Sequence, residues 1–170
     1  MRIHRTLLPL FLLSIATVAF ADPKPAFEKM KSLAGTWEGK VTTNPHRPDI
    51  EGAPAHVTLR VTSSGNALLH EGTSTARPDD PLTIFYIDND RLTLTHYCDA
   101  GNRPRMVGTL SADGKTIDFE FLDVAGNMKY GHMHHIAFTF VDADHHTEDL
   151  VFMLPGDKAT EAHLELTRTK

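Results

Sequence analysis

Short segments of alternating apolar and polar residues, separated by turn residues, restrict the fold of this chain more than any other feature. Between Ala55 and Ser63, the apolar residues Val57, Leu59 and Val61 stand at every second position, which is the period of a β-strand with one buried face. The same pattern predicts ten strands, namely Thr36–Thr43, Ala55–Ser63, Ala67–Thr73, Leu82–Asp88, Arg91–Cys98, Arg105–Ser111, Thr116–Leu122, Tyr130–Val141, Thr147–Leu154 and Ala159–Arg168.

The connections between these segments predict an antiparallel sheet. Asn89-Asp90 and Asp113-Gly114 suit tight turns that need positive φ. The one predicted helix, Ala26–Ala34, precedes all the strands, so no helix is left to cross between parallel neighbours. Because an open meander would expose two edges and a closed barrel exposes none, we expect an all-β, up-and-down antiparallel barrel of about ten strands. A proline-rich loop over residues 44–54 is placed near its mouth.

The first 21 residues have the features of a secretory signal peptide. Arg2 and Arg5 supply a positive start, an apolar run follows to residue 20, and Ala19 and Ala21 fit the small-residue rule for cleavage. The run is too short, and too soon followed by charged residues, to anchor the chain in a membrane. We expect residues 22–170 to form a single lipocalin-like domain, in the bacterial periplasm or secreted.

Charge and cysteine content exclude several classes of partner. The 17 basic and 22 acidic residues become 15 and 22 once Arg2 and Arg5 are removed, a net charge of −7 with histidines neutral. Such a surface repels nucleic acid and anionic lipid. Cys98 is the single cysteine, so no internal disulfide is possible, which fits a bacterial periplasmic protein better than a secreted eukaryotic one.

Residues 33–37, Leu-Ala-Gly-Thr-Trp, resemble the Gly-x-Trp signature of the calycin superfamily, which includes lipocalins, fatty-acid-binding proteins and nitrobindin-like haem proteins. In that superfamily the tryptophan closes one barrel end beneath an arginine from the last strand. Trp37 and Arg168 match that pair by type and position. The resemblance therefore implies structural roles for Gly35, Trp37 and Arg168, with a cation–π contact between the last two.

A longer stretch, residues 96–106 together with 132–134, resembles a group of uncharacterised exported bacterial lipocalin-like proteins, which implies no activity. The nitrobindin-like members of the superfamily suggest haem, because His163 lies on the last predicted strand, where those proteins carry their proximal ligand. Successive residues of a strand point to opposite faces of the sheet. His163 therefore points away from the face of Leu164 and Leu166, and it is predicted to face solvent. The glycine-rich start of that family is only partly present in residues 37–40, and haem is the lesser alternative.

Histidines and a cysteine recur at strand positions that continue apolar faces. His96 and Cys98 continue one such face, and Tyr130, His132 and His134 continue another. Imidazole and thiolate are ligands for zinc, copper or iron. One hypothesis is therefore a transition-metal site in the lumen formed by His96, Cys98, His132 and His134. The alternative is a polar patch at the barrel mouth, with Cys98 as a small buried apolar residue. The predicted ligand-binding residues are His70, His96, Tyr130, His132, His134 and Arg105.

Arg105 enters that set because two guanidiniums near a barrel mouth suit a carboxylate or phosphate on an apolar ligand. Its neighbour Arg103 is assigned to a solvated turn instead. The acids are predicted to lie in turns and at outward strand positions, and His145-His146 is predicted to lie in a surface turn. No motif for a nucleophile, a phosphate loop or a metalloprotease helix is present.

The leading functional prediction is an exported barrel that binds a small apolar or amphipathic molecule, with a histidine-lined metal site in the lumen as an open question. The first alternative is a metal- or histidine-assisted hydrolase or isomerase that uses His96, His132 and His134. The others are a nitrobindin-like haem protein and a packed barrel that takes part in protein interaction in the envelope.

Overall fold

The computed structural model describes residues 22–74 and 81–170, and the predicted signal peptide lies outside them. The elements in chain order are α1 (Lys24–Lys31), β1 (Gly35–Asn44), β2 (Pro54–Thr62), β3 (Ala67–Ser74), β4 (Leu82–Asp88), β5 (Arg91–Tyr97), β6 (Asn102–Leu110), β7 (Thr116–Gly126), β8 (His132–Phe140), β9 (His145–Leu154) and β10 (Lys158–Arg168). Within the described ranges, no helix has the length and apolar character needed to cross a membrane.

The ten strands form a closed barrel. Each strand pairs with its neighbours in the chain, and β1 pairs antiparallel with β10 to complete the ring. That closing ladder runs from Trp37 opposite Arg168 to Asn44 opposite Glu161. The predicted all-β antiparallel barrel of ten strands is therefore confirmed.

Several strand boundaries differ from the sequence prediction: β7 ends at Gly126 rather than at Leu122, and β8 begins at His132 rather than at Tyr130. β6 begins at Asn102 rather than at Arg105, and β9 begins at His145 rather than at Thr147. The pairing register between β6 and β7 shifts between Arg105 and Met106, and a β-bulge of this kind bends the strand and lets pairing continue beyond it. Residues 102–104, expected in a loop, therefore pair with residues 124–126 of β7.

Helix α1 covers one end of the barrel, which we call the closed end. Pro25 lies in its first turn, where the fixed φ and missing N–H of proline are tolerated. Phe27 and Met30, three residues apart, share a face and are buried in the core. The helix ends at Lys31, earlier than predicted, and the N–H of Ser32 bonds to carbonyls of the last turn.

Trp37 and Arg168 are in contact behind this helix. The guanidinium carbon lies 4.1 Å from the centroid of the Trp37 ring. Arg168 also donates to the carbonyls of Ser32 and Ala34, at 3.0 and 2.8 Å. Gly35 makes room for this arrangement, because a Cβ there would lie 2.5 Å from Nη1 of Arg168. The arginine thus joins the last strand to the segment between the helix and the first strand.

Aromatic rings fill the half of the interior next to the closed end. Phe85, Phe119 and Phe138 are fully buried, with ring centroids 5.3 to 6.1 Å apart in tilted and edge-on arrangements. Such geometries add to the energy of apolar burial. The other half, towards the loops after β1, β5, β7 and β9, is hollow.

Replacing Arg168 by lysine is expected to lower the free energy of unfolding by about 2 kcal/mol. Lysine keeps the charge, but it cannot bond two carbonyls while stacking on Trp37. Urea denaturation followed by circular dichroism measures the change. Arg60→Lys, at an exposed position of β2, is the control and should change stability by less than about 0.5 kcal/mol. Equal losses in both variants would contradict the role given to Arg168.

Candidate functional site

The hollow end of the barrel contains a cavity of about 530 Å³. Alternate residues of a strand point to the same face, so β9 contributes three apolar side chains to the wall. The main apolar lining residues are Ile50, Met133, Leu150, Phe152, Leu154 and Ala162. A cavity of this size and character is typical of sites for small organic molecules.

The proline-rich loop between β1 and β2 forms part of the cavity wall, where the sequence placed it. Arg47, Asp49 and Ile50 all line the cavity. Glu51 fixes the loop to β1, because its carboxylate accepts from the backbone N–H and the hydroxyl of Thr43, at 2.8 and 2.6 Å. These hydrogen bonds lower the pKa of Glu51.

Three predicted site residues line the same cavity: His96, Cys98 and Tyr130. His96 is buried, and its Nδ1 lies 2.8 Å from the hydroxyl oxygen of Thr83. Sγ of Cys98 lies 3.4 Å from a carboxylate oxygen of Asp99. Tyr130 is 57% exposed, so it stands at the entrance rather than inside.

His132 and His134 do not line this cavity. The register between β8 and β9 shifts between Met133 and His135, and this bulge breaks the alternation on which their inward direction depended. Met133 lines the cavity in their place. The two imidazoles lie together instead, with Nε2 of His132 3.2 Å from Nδ1 of His134, and both rings contact Phe121. Burial and the charge of His134 lower the pKa of His132.

The four predicted metal ligands are therefore divided between two places, with His96 and Cys98 at the cavity and His132 and His134 beside Phe121. Over residues 22–74 and 81–170, one group of three potential ligands lies within 4.8 Å, and it is a different one: Asp118, Glu120 and His135, on the outer face of β7 and β8. The metal site stays a prediction.

Arg105 lies on the outer face of the barrel, away from the cavity. Its Nε donates to Asp123 at 2.8 Å, and its Nη2 contacts the other carboxylate oxygen. This bidentate pair raises the pKa of Arg105 and lowers the pKa of Asp123. Arg103 is exposed. Neither arginine is among the residues that line the cavity, so the predicted clamp for an anionic group is not assembled there.

His163 also faces outwards, as its parity indicated. Its Nδ1 lies 2.5 Å from a carboxylate oxygen of Asp149, and its side chain is 38% exposed. Leu166, of opposite parity, is buried. The imidazole that the nitrobindin-like resemblance would assign to haem is thus directed away from the lumen, and His163 does not fit the role of a lumenal haem ligand.

Below the cavity, a carboxylate lies fully inside the barrel. Glu148 is 1% exposed, and its oxygens lie 3.1 Å from Nε2 of His70 and 3.1 Å from Nε2 of His146. An ionised carboxylate can only accept, so both imidazoles donate. Burial alone would raise the pKa of Glu148, but the charge of His70 and the hydrogen bonds from His146 and His70 lower this pKa to about 2.

His70 and Glu148 thus form a buried ion pair. Burial opposes the charge on His70, but the charge of Glu148 and its hydrogen bond raise the pKa of His70 above its usual value. His146 packs edge-on against Trp37, with ring centroids 4.2 Å apart. Through these contacts, the buried pair is connected to the closed end of the barrel.

A polar path also extends from the buried pair towards the cavity. His70 on β3 is opposite Thr83 on β4, and Thr83 is opposite His96 on β5. The Thr83–His96 hydrogen bond completes a row of polar side chains across three neighbouring strands. The row ends at His96, in the cavity wall.

Sequence reasoning missed the buried carboxylate, and its placement of His146 was wrong. His146 is buried on β9, and only its neighbour His145 is exposed. The prediction that every acid lies in a turn or faces outwards fails at Glu148. The signal was present, because His146 and Glu148 have the same strand parity as Leu150 and Phe152, and that parity points inwards.

No protein-family profile and no curated protein sequence matches the chain, but solved structures share its fold. Rv2717c from M. tuberculosis is 17% identical, with a TM-score of 0.64 over 88% of this chain and 100% of that one. A protein of unknown function from the DUF3598 family of Nostoc punctiforme is 11% identical, with a TM-score of 0.57 over 82% of this chain and 49% of that one. The S-type phycobiliprotein lyase CpeS from Guillardia theta is 13% identical, with a TM-score of 0.57 over 85% and 93%. These neighbours are ten-stranded antiparallel barrels of the calycin-like fold, and this chain has that fold.

Replacing Glu148 by glutamine is expected to lower the free energy of unfolding by about 3 kcal/mol at pH 6, because it leaves a buried imidazolium without its counter-charge. The pH dependence should change as well. The contribution of His70 is complete below its ordinary pKa of 6.5 and is lost as the pH rises through its raised folded value. The contribution of Glu148 is complete above its ordinary pKa of 4.5 and is lost as the pH falls towards about 2.

The pair therefore stabilises the fold most between pH 4.5 and 6.5, and Glu148→Gln should flatten the loss of stability on both sides of that window. Thermal unfolding between pH 3 and 9 measures this, with Glu28→Gln, at an exposed position of α1, as the control. An unchanged pH profile in Glu148→Gln would rule out the buried ion pair.

Proposed function

We propose that this protein binds a small, largely apolar molecule in the cavity at the open end of its barrel. One observation carries the proposal: a hollow of about 530 Å³, lined in part by apolar side chains, lies above a core of buried apolar residues. Burial of apolar ligand surface supplies the affinity, and a few polar groups in such a wall set orientation. His96 and Thr160 are polar groups of this kind.

The hollow end supports binding over the alternatives raised by the sequence. A barrel that served only as an interaction module would have no need of an apolar hollow. The hydrolase or isomerase hypothesis required His96, His132 and His134 around one substrate, and His96 alone of the three lines the cavity. The likeness to a phycobiliprotein lyase is compatible with a role in handling a small molecule.

We further propose that the chain is exported to the periplasm or secreted, on the grounds of residues 1–21 alone. Intact-mass analysis of the protein recovered from a periplasmic extract should give a chain that begins at Asp22. Recovery of the protein only from the cytoplasmic fraction, with residues 1–21 still attached, would disprove export.

Filling the cavity should abolish binding without unfolding the barrel. Ala162 on β10 lines the cavity and is partly exposed, and a phenylalanine there would occupy the space of a ligand. We expect Ala162→Phe to weaken binding of the uncharged dye Nile red by about tenfold or more, as measured by fluorescence titration.

The matched control is Ala112→Phe, in the exposed turn between β6 and β7. It should bind the dye as the parent protein does. If both variants bind equally well and keep the parent melting temperature, the dye site is not this cavity. Native mass spectrometry of the purified protein then identifies any molecule that it retains.

A further inference from the structure

Two histidines of β8 face each other rather than an acid. Nε2 of His132 lies 3.2 Å from Nδ1 of His134, and over residues 22–74 and 81–170 neither imidazole forms an ion pair with a carboxylate. A neighbouring carboxylate favours the imidazolium, in which both ring nitrogens carry a proton and neither can bind a metal. His132 and His134 are free of that competition.

Most other histidines of the described chain are held by acids. Each has a carboxylate oxygen between 2.5 and 3.5 Å from a ring nitrogen, and they are His46, His56, His70, His135, His145, His146 and His163. The imidazole of His96 is hydrogen-bonded to Thr83. The pair on β8 is therefore well suited to supply two neutral nitrogen donors at one place.

Phe121 of β7 holds both rings of the pair. Its ring centroid lies 4.9 Å from that of His132 and 4.8 Å from that of His134, and the His134 ring is stacked on it. The ladder between β7 and β8 ends at Glu120 opposite His135, so the three rings lie just beyond the last backbone pair of these strands. Ligands held in this way lose little freedom when they bind a metal.

The spacing of the two nitrogens fits a shared metal ion. Imidazole nitrogens bind zinc and its neighbours at about 2.0 to 2.1 Å, and bond angles between the square-planar and tetrahedral values place two such nitrogens about 2.9 to 3.4 Å apart. The observed separation of 3.2 Å lies in that range. The metal would replace the proton that the two nitrogens share.

The displaced proton has a place to go. A histidine that binds a metal through one nitrogen carries its proton on the other, which needs a hydrogen-bond acceptor or water. Both side chains are partly exposed. Neither Nδ1 of His132 nor Nε2 of His134 is a buried atom without a partner, in contrast to Nδ1 of His135.

That contrast makes the group of Asp118, Glu120 and His135 the weaker candidate. Nε2 of His135 faces Asp118 at 3.0 Å, and a metal bound there would move the proton to Nδ1. Because Nδ1 is buried and has no acceptor, the new N–H would stay unsatisfied, which is unfavourable.

We propose that His132 and His134 chelate one divalent ion of the late first-row transition metals, with Cu²⁺ bound most tightly. A pair of imidazoles without a thiolate follows the general order of affinity, in which Cu²⁺ exceeds Ni²⁺ and Zn²⁺. Water completes the coordination. The site lies in the barrel wall without His96 and Cys98, so it differs from the four-residue site expected from the sequence and is independent of the apolar cavity.

The test is a titration of the purified protein with Cu²⁺ against a fluorescent copper chelator, in a buffer that does not bind metal. We expect one Cu²⁺ per chain with a dissociation constant of about 10 μM or below, and weaker binding of Zn²⁺. Electron paramagnetic resonance of the Cu²⁺ complex should show two coordinated nitrogens.

His132→Gln and His134→Gln each remove one donor, and each should weaken Cu²⁺ binding by about tenfold or more. His56→Gln, on the outer face of β2 beside Glu38, is the matched control and should keep the parent affinity. Melting curves recorded without metal establish that the three variants are folded.

Three results would overturn the proposal. The first is a parent protein that binds no Cu²⁺ in this range, and the second is a resonance spectrum with a single coordinated nitrogen. The third is parent affinity in both His132→Gln and His134→Gln. If His135→Gln loses the ion instead, the metal belongs to the group of Asp118, Glu120 and His135.

Discussion

The pairing of the first strand with the last is the constraint on which the rest of this structure depends. The ladder between Trp37–Asn44 and Glu161–Arg168 turns a ten-stranded meander into a ring, and only a ring has an inside. Backbone hydrogen bonds supply the ladder, and the contacts of Arg168 with Trp37 and with the carbonyls behind the helix secure one end of it. Without closure, two strand edges would be exposed to other chains, and the apolar faces would have no common interior.

The buried ion pair between His70 and Glu148 is the feature of this interior that opposes folding through loss of hydration. Removing two charges from water is unfavourable unless the geometry and the additional hydrogen bonds compensate. Glu148 accepts hydrogen bonds from two histidines, and those histidines in turn contact the aromatic rings of Phe138 and Trp37. These buried polar groups have few alternative hydrogen-bond partners inside an apolar barrel. They therefore favour the observed strand register over registers in which the strands are shifted.

The fold could be predicted from the sequence, because strand alternation, tight turns and the absence of crossover helices all indicated one architecture. The site could be predicted only in part. Parity placed His96 and Cys98 correctly at the cavity wall. The same alternation failed for His132 and His134, because one bulge in β8 reverses the face to which the residues on its far side point. No residue type in the sequence indicates that bulge. Glu148 was missed for the opposite reason: its parity was right, but its charge suggested an outward position.

The barrel is divided along its axis, with a solid half next to the helix and a hollow half beneath the loops after β1, β5, β7 and β9. The side chains that stabilise the fold and the loops that border the ligand space therefore hardly overlap. In evolution, those loops can change in length and sequence, and so change which molecule the barrel binds, while the pairing of β1 with β10 and the packed half of the interior are retained.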